Sequence, residues 1–199
     1  MNNKKSTYIR TLHDKDIASV AKLHSVALDS PGSAIGLPYL TRLYQHYSRN
    51  PKRYLCFVVK NYNRIIGAVA VCIDSINVGT DILGLIDGSV VVSLLKAVIL
   101  LKLHPLEIMR HRQVQQYIRN HITNKSAYIS QIFIEPSHQN KGIGTMLCRH
   151  LFRHLLNNKV DCVFVDTQHS NVPAQQFYKK LAFKKVAILG NTHIFVKYI

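Results

Sequence analysis

Acidic side chains are scarce in this chain: ten Asp and Glu stand against 26 Lys and Arg, a net charge of +16 over 199 residues. That imbalance favours anionic partners such as a nucleic acid, an acidic membrane surface or a phosphorylated small molecule, and it disfavours polyamines by like-charge repulsion. The basic residues do not form a tail: residues 1–73 carry 11 of them, 74–125 carry six and 126–199 carry nine. No aromatic residues alternate with them as a stacking platform for single strands requires, so nucleic acid is set aside. Cysteine is sparse too. Cys56, Cys72, Cys148 and Cys162 lie far apart in apolar stretches, without a CxxC pair, which excludes a disulfide framework and a zinc ribbon. Histidine is plentiful, but His111, His121, His150 and His154 lack Cys or acidic neighbours at ligand spacing, so no metal is expected. The longest apolar stretch, 89–103, is short of the ~20 residues a membrane span needs, and Lys96 and Lys102 interrupt it. The start, Met1-Asn2-Asn3-Lys4-Lys5, leads into no apolar run with a cleavage site, and the expectation is a cytoplasmic protein. There are no internal repeats and no low-complexity segments.

A hydrophobic share of 47% in a chain this long suits one domain over 1–199. Residues 7–12 read as a strand, followed by a helix with Ile17, Val20, Ala21, His24, Ala27 and Leu28 on one face, ended by Pro31-Gly32. A second helix spans about 38–47, closed by Asn50-Pro51, and residues 54–60 and 65–73 read as a hairpin. Residues 74–125 are less regular, with two helices expected. A strand at 127–134 stops at Pro136. A long helix then carries Ile143, Met146, Leu147, His150, Leu151, His154 and Leu155 on one face. The apolar run 162–165 suits a strand buried on both faces, and a helix at 173–181 and a hairpin around Gly190-Asn191 complete the chain.

Gln139-Asn140-Lys141-Gly142-Ile143-Gly144-Thr145 sits between a strand and a helix. Glycines let a ligand approach the backbone, and the first turn of a helix offers unpaired N–H groups at the positive end of its dipole, which together make an anion site fit for a pyrophosphate. Alone, such glycines equally serve to bend the chain. The turn lacks both GxGxxG spacing and a P-loop ending.

A second segment gives the turn its context. Residues 129–136 (ISQIFIEP), the turn, and residues 166–183 (DTQHSNVPAQQFYKKLAF) together resemble the GNAT acetyltransferase superfamily. The turn is similar to its Q/R-x-x-G-x-G/A motif and the later segment to N-x-x-A-x-x-x-Y-x-x-x-G-F. The specific match covers 127–183, while residues 7–73 fit only by element order. Where the family has glycine before the last Phe, this chain has Ala182. A tight turn there is therefore in question.

The resemblance implies an α/β (α+β) fold: a mixed, mostly antiparallel central sheet, helices on both faces, and a helical insert, about 74–125, between the third and fourth strands. It implies an N-acetyltransferase in which acetyl-CoA is the co-substrate and the amine attacks directly in a ternary complex. The strand Ile132-Phe133-Ile134 would hold the acetyl-pantetheine arm by its backbone. Amides from Gln139, Asn140, Lys141, Gly142, Ile143, Gly144 and Thr145 would hold the pyrophosphate, Asn171 would contact the pantetheine, and Tyr178 would protonate the leaving sulfur. Asp166 is the first candidate base, against a reading as a plain strand-end carboxylate. Glu135 is the reserve, and Ser130 or Gln131 could orient a relay water. From the net charge, the acceptor is expected to be a small anionic amine such as a nucleotide- or lipid-linked amino sugar. A peptide or protein amine, and a non-catalytic acyl-CoA-binding module, are the alternatives. The insert is read as a helical pair packed over the sheet or against a second copy in a homodimer; contact of 89–112 with an anionic membrane is the other reading.

Overall fold

The computed structural model describes residues 7–73, 85, 87–100, 105–121, 123 and 125–199. Its frame is a seven-stranded sheet: β1 (Thr7–Thr11), β2 (Tyr54–Asn61), β3 (Arg64–Cys72), β4 (Ser126–Ile134), β5 (Cys162–Gln168), β6 (Lys184–Leu189) and β7 (Thr192–Tyr198), in the order β1-β2-β3-β4-β5-β7-β6. All neighbours are antiparallel except β4 and β5. The alternation of side chains follows from the sheet's place. β3, central, is buried along all but its first residue, whereas β6 lies at an edge with Lys184 and Lys185 exposed, a charge arrangement that discourages further strand pairing.

Helices cover both faces. On one side lie α1 (Ile17–Ala27), the short α2 (Pro31–Ile35) and α3 (Leu37–Arg49), with α5 (Pro105–His121) packed through Val114 and Ile118. On the other lie α6 (Ile143–Asn157) and α7 (Val172–Lys180). Two cores result: Val20, Leu40, Tyr44, Val58 and Ile118 on the first face, and Leu147, Leu151, Leu155, Val163 and Phe195 on the second. On the first face β3 offers small Ala68, Ala70 and Cys72, which leaves room for the bulky Tyr44, Tyr47 and Tyr54.

α2 was not anticipated. Pro31 marks the end of the preceding helix in the sequence and also fits the first turn of a new one, because its missing N–H is not needed there; Ser30 caps that turn by accepting from Ser33 N–H at 3.1 Å. α4 (Gly88–Ile99) is capped by Asp87, which accepts from Val90 N–H, and it turns Val90 and Ala97 inward while Val92, Leu95 and Ile99 remain exposed. Both helices expected between the third and fourth strands are present, although the stretch 101–104 and the side chains of 105–111, part of the segment read as membrane contact, lie outside the described residues. No helix among the described residues is long and apolar enough to cross a membrane.

Candidate active site

The sheet opens where β4 and β5 part. The two strands pair in parallel only from Ser126–Cys162 to Ile129–Val165, after which β5 follows β7 to Gln168 and β4 follows β3 to Ile134. A bulge accounts for the parting. Ala70 faces Gln131 and Val71 faces Ile129, so Ser130 is the extra residue, and its hydroxyl donates to Ala70 C=O at 3.1 Å. Beyond the bulge, Glu135 N–H donates to Ile66 C=O. By the alternation of an antiparallel ladder, the backbone groups of Ile132 and Ile134 therefore face the opening. Ile134 C=O accepts there from the Gln139 side-chain amide at 3.0 Å.

A cavity of about 430 Å³ occupies the opening. Ser130, Gln131 and Ile132 line it from β4, Asp166, Thr167 and Gln168 from β5, and Asn171, Ala174 and Tyr178 from α7 and its lead-in. From the far side it is closed by residues 27–31, between α1 and α2, and by Val114 of α5. Of the residues singled out from sequence, Ser130, Gln131, Ile132, Asp166, Asn171 and Tyr178 meet here.

Tyr178 is buried on the α6–α7 face, and burial first, with Cys148 and the Asp166 charge adding to it, pushes its phenol well above the ordinary range, so it keeps its proton. No group among the described residues hydrogen-bonds its hydroxyl. Its position depends on the end of α7: Phe183 N–H donates to Tyr178 C=O and Ala182 N–H to Lys179 C=O, the two bonds of a Schellman closure, with Phe183 packed on the Tyr178 ring at 5.6 Å between centroids. The tight turn is thus made without glycine. Ala182 adopts φ 63°, in the left-handed region that an alanine enters only at a cost.

Asp166 accepts from the buried Tyr128 hydroxyl at 2.5 Å. Burial, with the Asp166 charge beside it, raises the Tyr128 phenol far above its ordinary value, so that bond keeps its direction at any working pH. Asn171 caps α7, accepting from Ala174 N–H at 3.1 Å. The 27–31 segment is held by His24, fully buried, whose ring nitrogens lie 2.8 Å from Tyr44 Oη and 3.0 Å from Ser30 Oγ. Burial holds this imidazole down at about 4. It is a neutral strut between α1, α3 and the cavity wall.

The start of α6 is a second, exposed feature. Asn140 and Gly142 take φ 58° and 77°, and a Cβ at Gly142 would meet no atom within 4 Å, so backbone conformation and not space calls for glycine there. Space decides at Gly144, where a Cβ would come within 3.2 Å of Phe177. The first bond into the helix is Met146 N–H to Gly142 C=O at 3.0 Å; no group among the described residues accepts from the amides of Ile143, Gly144 and Thr145. These unpaired donors, on half-buried residues at the positive end of a 15-residue helix, fit a pyrophosphate. Lys141 folds back to Ser137 C=O at 2.7 Å.

Two singled-out residues lie elsewhere. The Phe133 side chain is in the first core, 5.0 Å from the His24 ring. Glu135 is buried at the far end of β4 between Arg64, an ion pair, and His138, whose Nδ1 lies 2.8 Å from Oε2 without hydrogen-bond alignment. The structure does not bring it to the cavity. The histidines have structural company: His150 and His154 meet Phe57 edge-on, and His169 and His193 share a 3.0 Å contact. No three His, Cys, Asp or Glu among the described residues gather as metal ligands.

Comparison with known proteins returns one family: residues 20–183 match the acetyltransferase (GNAT) family. No curated protein matches the chain. Among solved structures, the ribosomal-protein-S18-alanine N-acetyltransferase from Escherichia coli superposes with a TM-score of 0.61 at 15% identity, over 97% of this chain and 94% of its own. The PaiA N-acetyltransferase from Thermoplasma acidophilum, solved in complex with coenzyme A, gives 0.64 at 14% over 98% and 99%. Ard1 from Thermoplasma volcanium gives 0.64 at 14% over 98% of each chain. At these identities the likeness is one of fold.

Proposed function

We propose that this chain, which belongs to the acetyltransferase (GNAT) family, is an N-acetyltransferase that joins the acetyl group of acetyl-CoA to a primary amine at the opening between β4 and β5. The observation that carries the reading is the pairing of a neutral, buried phenol with a carboxylate around one cavity: Tyr178 on the α6–α7 side and Asp166 toward the other.

Acetyl-CoA supplies an activated thioester, and the chain's residues do the rest. The amides at the start of α6 bind the pyrophosphate, and the backbone edge at Ile132 and Ile134 orients the acyl arm. An amine is protonated near neutral pH, so Asp166, fixed by Tyr128, accepts a proton from the ammonium before the nitrogen attacks the carbonyl carbon. The C–N bond forms, the C–S bond breaks, and the departing sulfur takes the Tyr178 proton; the surplus proton of the acylated nitrogen restores the Tyr178 phenol, and the proton held by Asp166 passes to solvent. Acidity sets the timing: a thiol has a reference pKa of about 8.5, below that of the phenol, so Tyr178 gives up its proton only as the sulfur gains full charge beside it and only in concert with recovery of a proton from the acylated nitrogen. Asn171 holds α7, and with it Tyr178, in register. Glu135 serves as an anchor for the end of β4 and not as a base.

The test is amine-dependent release of coenzyme A thiol. Tyr178→Phe should lower kcat by roughly 100-fold with little change in acetyl-CoA affinity. Undiminished turnover in that variant would remove Tyr178 from the reaction.

A further inference from the structure

The charge of the whole chain and the charge of the cavity have opposite signs. Twenty-six Lys and Arg give the chain its +16, yet no Lys, Arg or His among the described residues lines the cavity. Two of the ten acidic residues do, Asp29 and Asp166, and the remaining polar lining is uncharged hydroxyl and amide. The two carboxylates differ in setting. Asp166 is half-buried on β5 beside Tyr128, and Asp29 is exposed on the segment that His24 and Ser30 fix between α1 and α2.

Distance decides which charge an acceptor feels. At physiological ionic strength the Debye length is about 8 Å, so exposed basic groups farther than that are largely screened, while a carboxylate in the wall of a cavity acts at contact range. Net charge therefore informs encounter and solubility, and lining informs selection. The net charge favours an anionic amino sugar and disfavours polyamines, whereas the cavity lining points the other way. A phosphorylated acceptor would bring its negative charge beside two carboxylates with no cation among the described lining residues to meet it.

We propose that the acceptor is a small cationic amine bearing a second positive group: the reacting ammonium is delivered to Asp166 while the other pairs with Asp29. This rests on the transferase reading above. It assigns Asp29 a role in selecting the substrate. A diamine satisfies both carboxylates at once, whereas an amine with a neutral tail satisfies one and an amine with a carboxylate tail meets repulsion at the rim.

Three primary amines of equal chain length test it: 1,5-diaminopentane, pentylamine and 5-aminopentanoate, each followed by thiol release from acetyl-CoA at moderate salt. The expected order of kcat/KM is diamine, pentylamine, aminopentanoate, with at least about tenfold between first and last. In Asp29→Asn the ratio of diamine to pentylamine should fall roughly two- to fivefold, the range expected of a solvent-exposed ion pair. Aminopentanoate equal to or better than the diamine, or a ratio unmoved by Asp29→Asn, overturns the proposal and leaves the transferase reading intact. Calorimetric titration of the same amines into the protein with coenzyme A separates the two failures. If no amine releases thiol but the diamine binds in an Asp29-dependent way, the transferase reading falls and the assignment of acceptor charge stands. If binding shows no preference among the three, the assignment is wrong whatever the turnover.

Discussion

The two sides of the opening are built differently. The α6–α7 side comes from one contiguous stretch, 127–183, and its chemistry is largely backbone: amides at a helix start, a splayed strand edge, and one phenol set by a helix closure. The other side joins two residues of that same stretch, Tyr128 and Asp166, to residues 27–31 and Val114, and depends on side chains brought together over long sequence separations. Backbone recognition requires glycines and caps at fixed spacings and so leaves a local pattern. Side-chain recognition leaves such a pattern for Asp166, which the resemblance covers, and none for residues 27–31 and Val114 until the chain is folded.

Four predictions sharpen or break that contrast. The largest effect on binding or turnover is expected at Gly142→Asp, which puts a side chain at φ 77° and a negative charge beside the unpaired amides. Acetyl-CoA affinity measured by titration should fall by about 100-fold, in line with the several kcal/mol that like-charge juxtaposition costs, while the tail-charge preference among acceptors is unchanged. Near wild-type affinity would dissolve the distinction between the sides. On the other side, Asp166→Asn should reduce amine-dependent turnover about tenfold at neutral pH and leave acetyl-CoA affinity alone; the residual rate should climb with pH as the free amine becomes abundant. A residual rate flat in pH would leave Asp166 without a role as base.

His24 gives a pH test of the strut behind residues 27–31. Its folded-state pKa is about 4 against an ordinary 6.5, so both folded and unfolded chains carry the neutral ring above pH 6.5 and it contributes no slope there. As pH falls from 6.5 toward 4, only the unfolded chain takes up the proton, and stability should drop by up to roughly 3 kcal/mol. Denaturant unfolding of wild type and His24→Gln at pH 7 and pH 5 isolates this term; equal pH dependence in the two would contradict it. The smallest effect is a gain. Ala182→Gly relieves the left-handed alanine at the end of α7 and should stabilise by roughly 1 kcal/mol, a Tm increase of about 2–4 °C. A lower Tm would mean that the Schellman closure carries no strain at that position.

The same contrast explains what could be read before folding. The positions of the strands in the second half, the turn at 139–145 and the spacing of Asn171 from Tyr178 follow from local pattern, and the structure brings those two residues to one cavity. α2 was missed because Ser30-Pro31 serves both as a stop for one helix and as a cap and first turn for the next. Glu135 attracted attention as an acid at a strand end, but its partner Arg64 lies 71 residues earlier and becomes a neighbour only across the sheet. The acceptor's charge belongs with these, because a net charge averages over a surface that the cavity excludes, and the cavity lining on which the proposed cationic acceptor rests is assembled only by the fold.

The central claim, that the opened sheet is an acetyl-CoA site, is tested most directly by calorimetric titration of the protein with acetyl-CoA at moderate salt, with ATP as a control for plain charge attraction. The account predicts saturable binding of acetyl-CoA well above that of ATP, because the strand edge and the cavity engage the acyl arm that ATP lacks. Acetyl-CoA bound no better than ATP would reduce the α6 start to a general anion site and contradict the account.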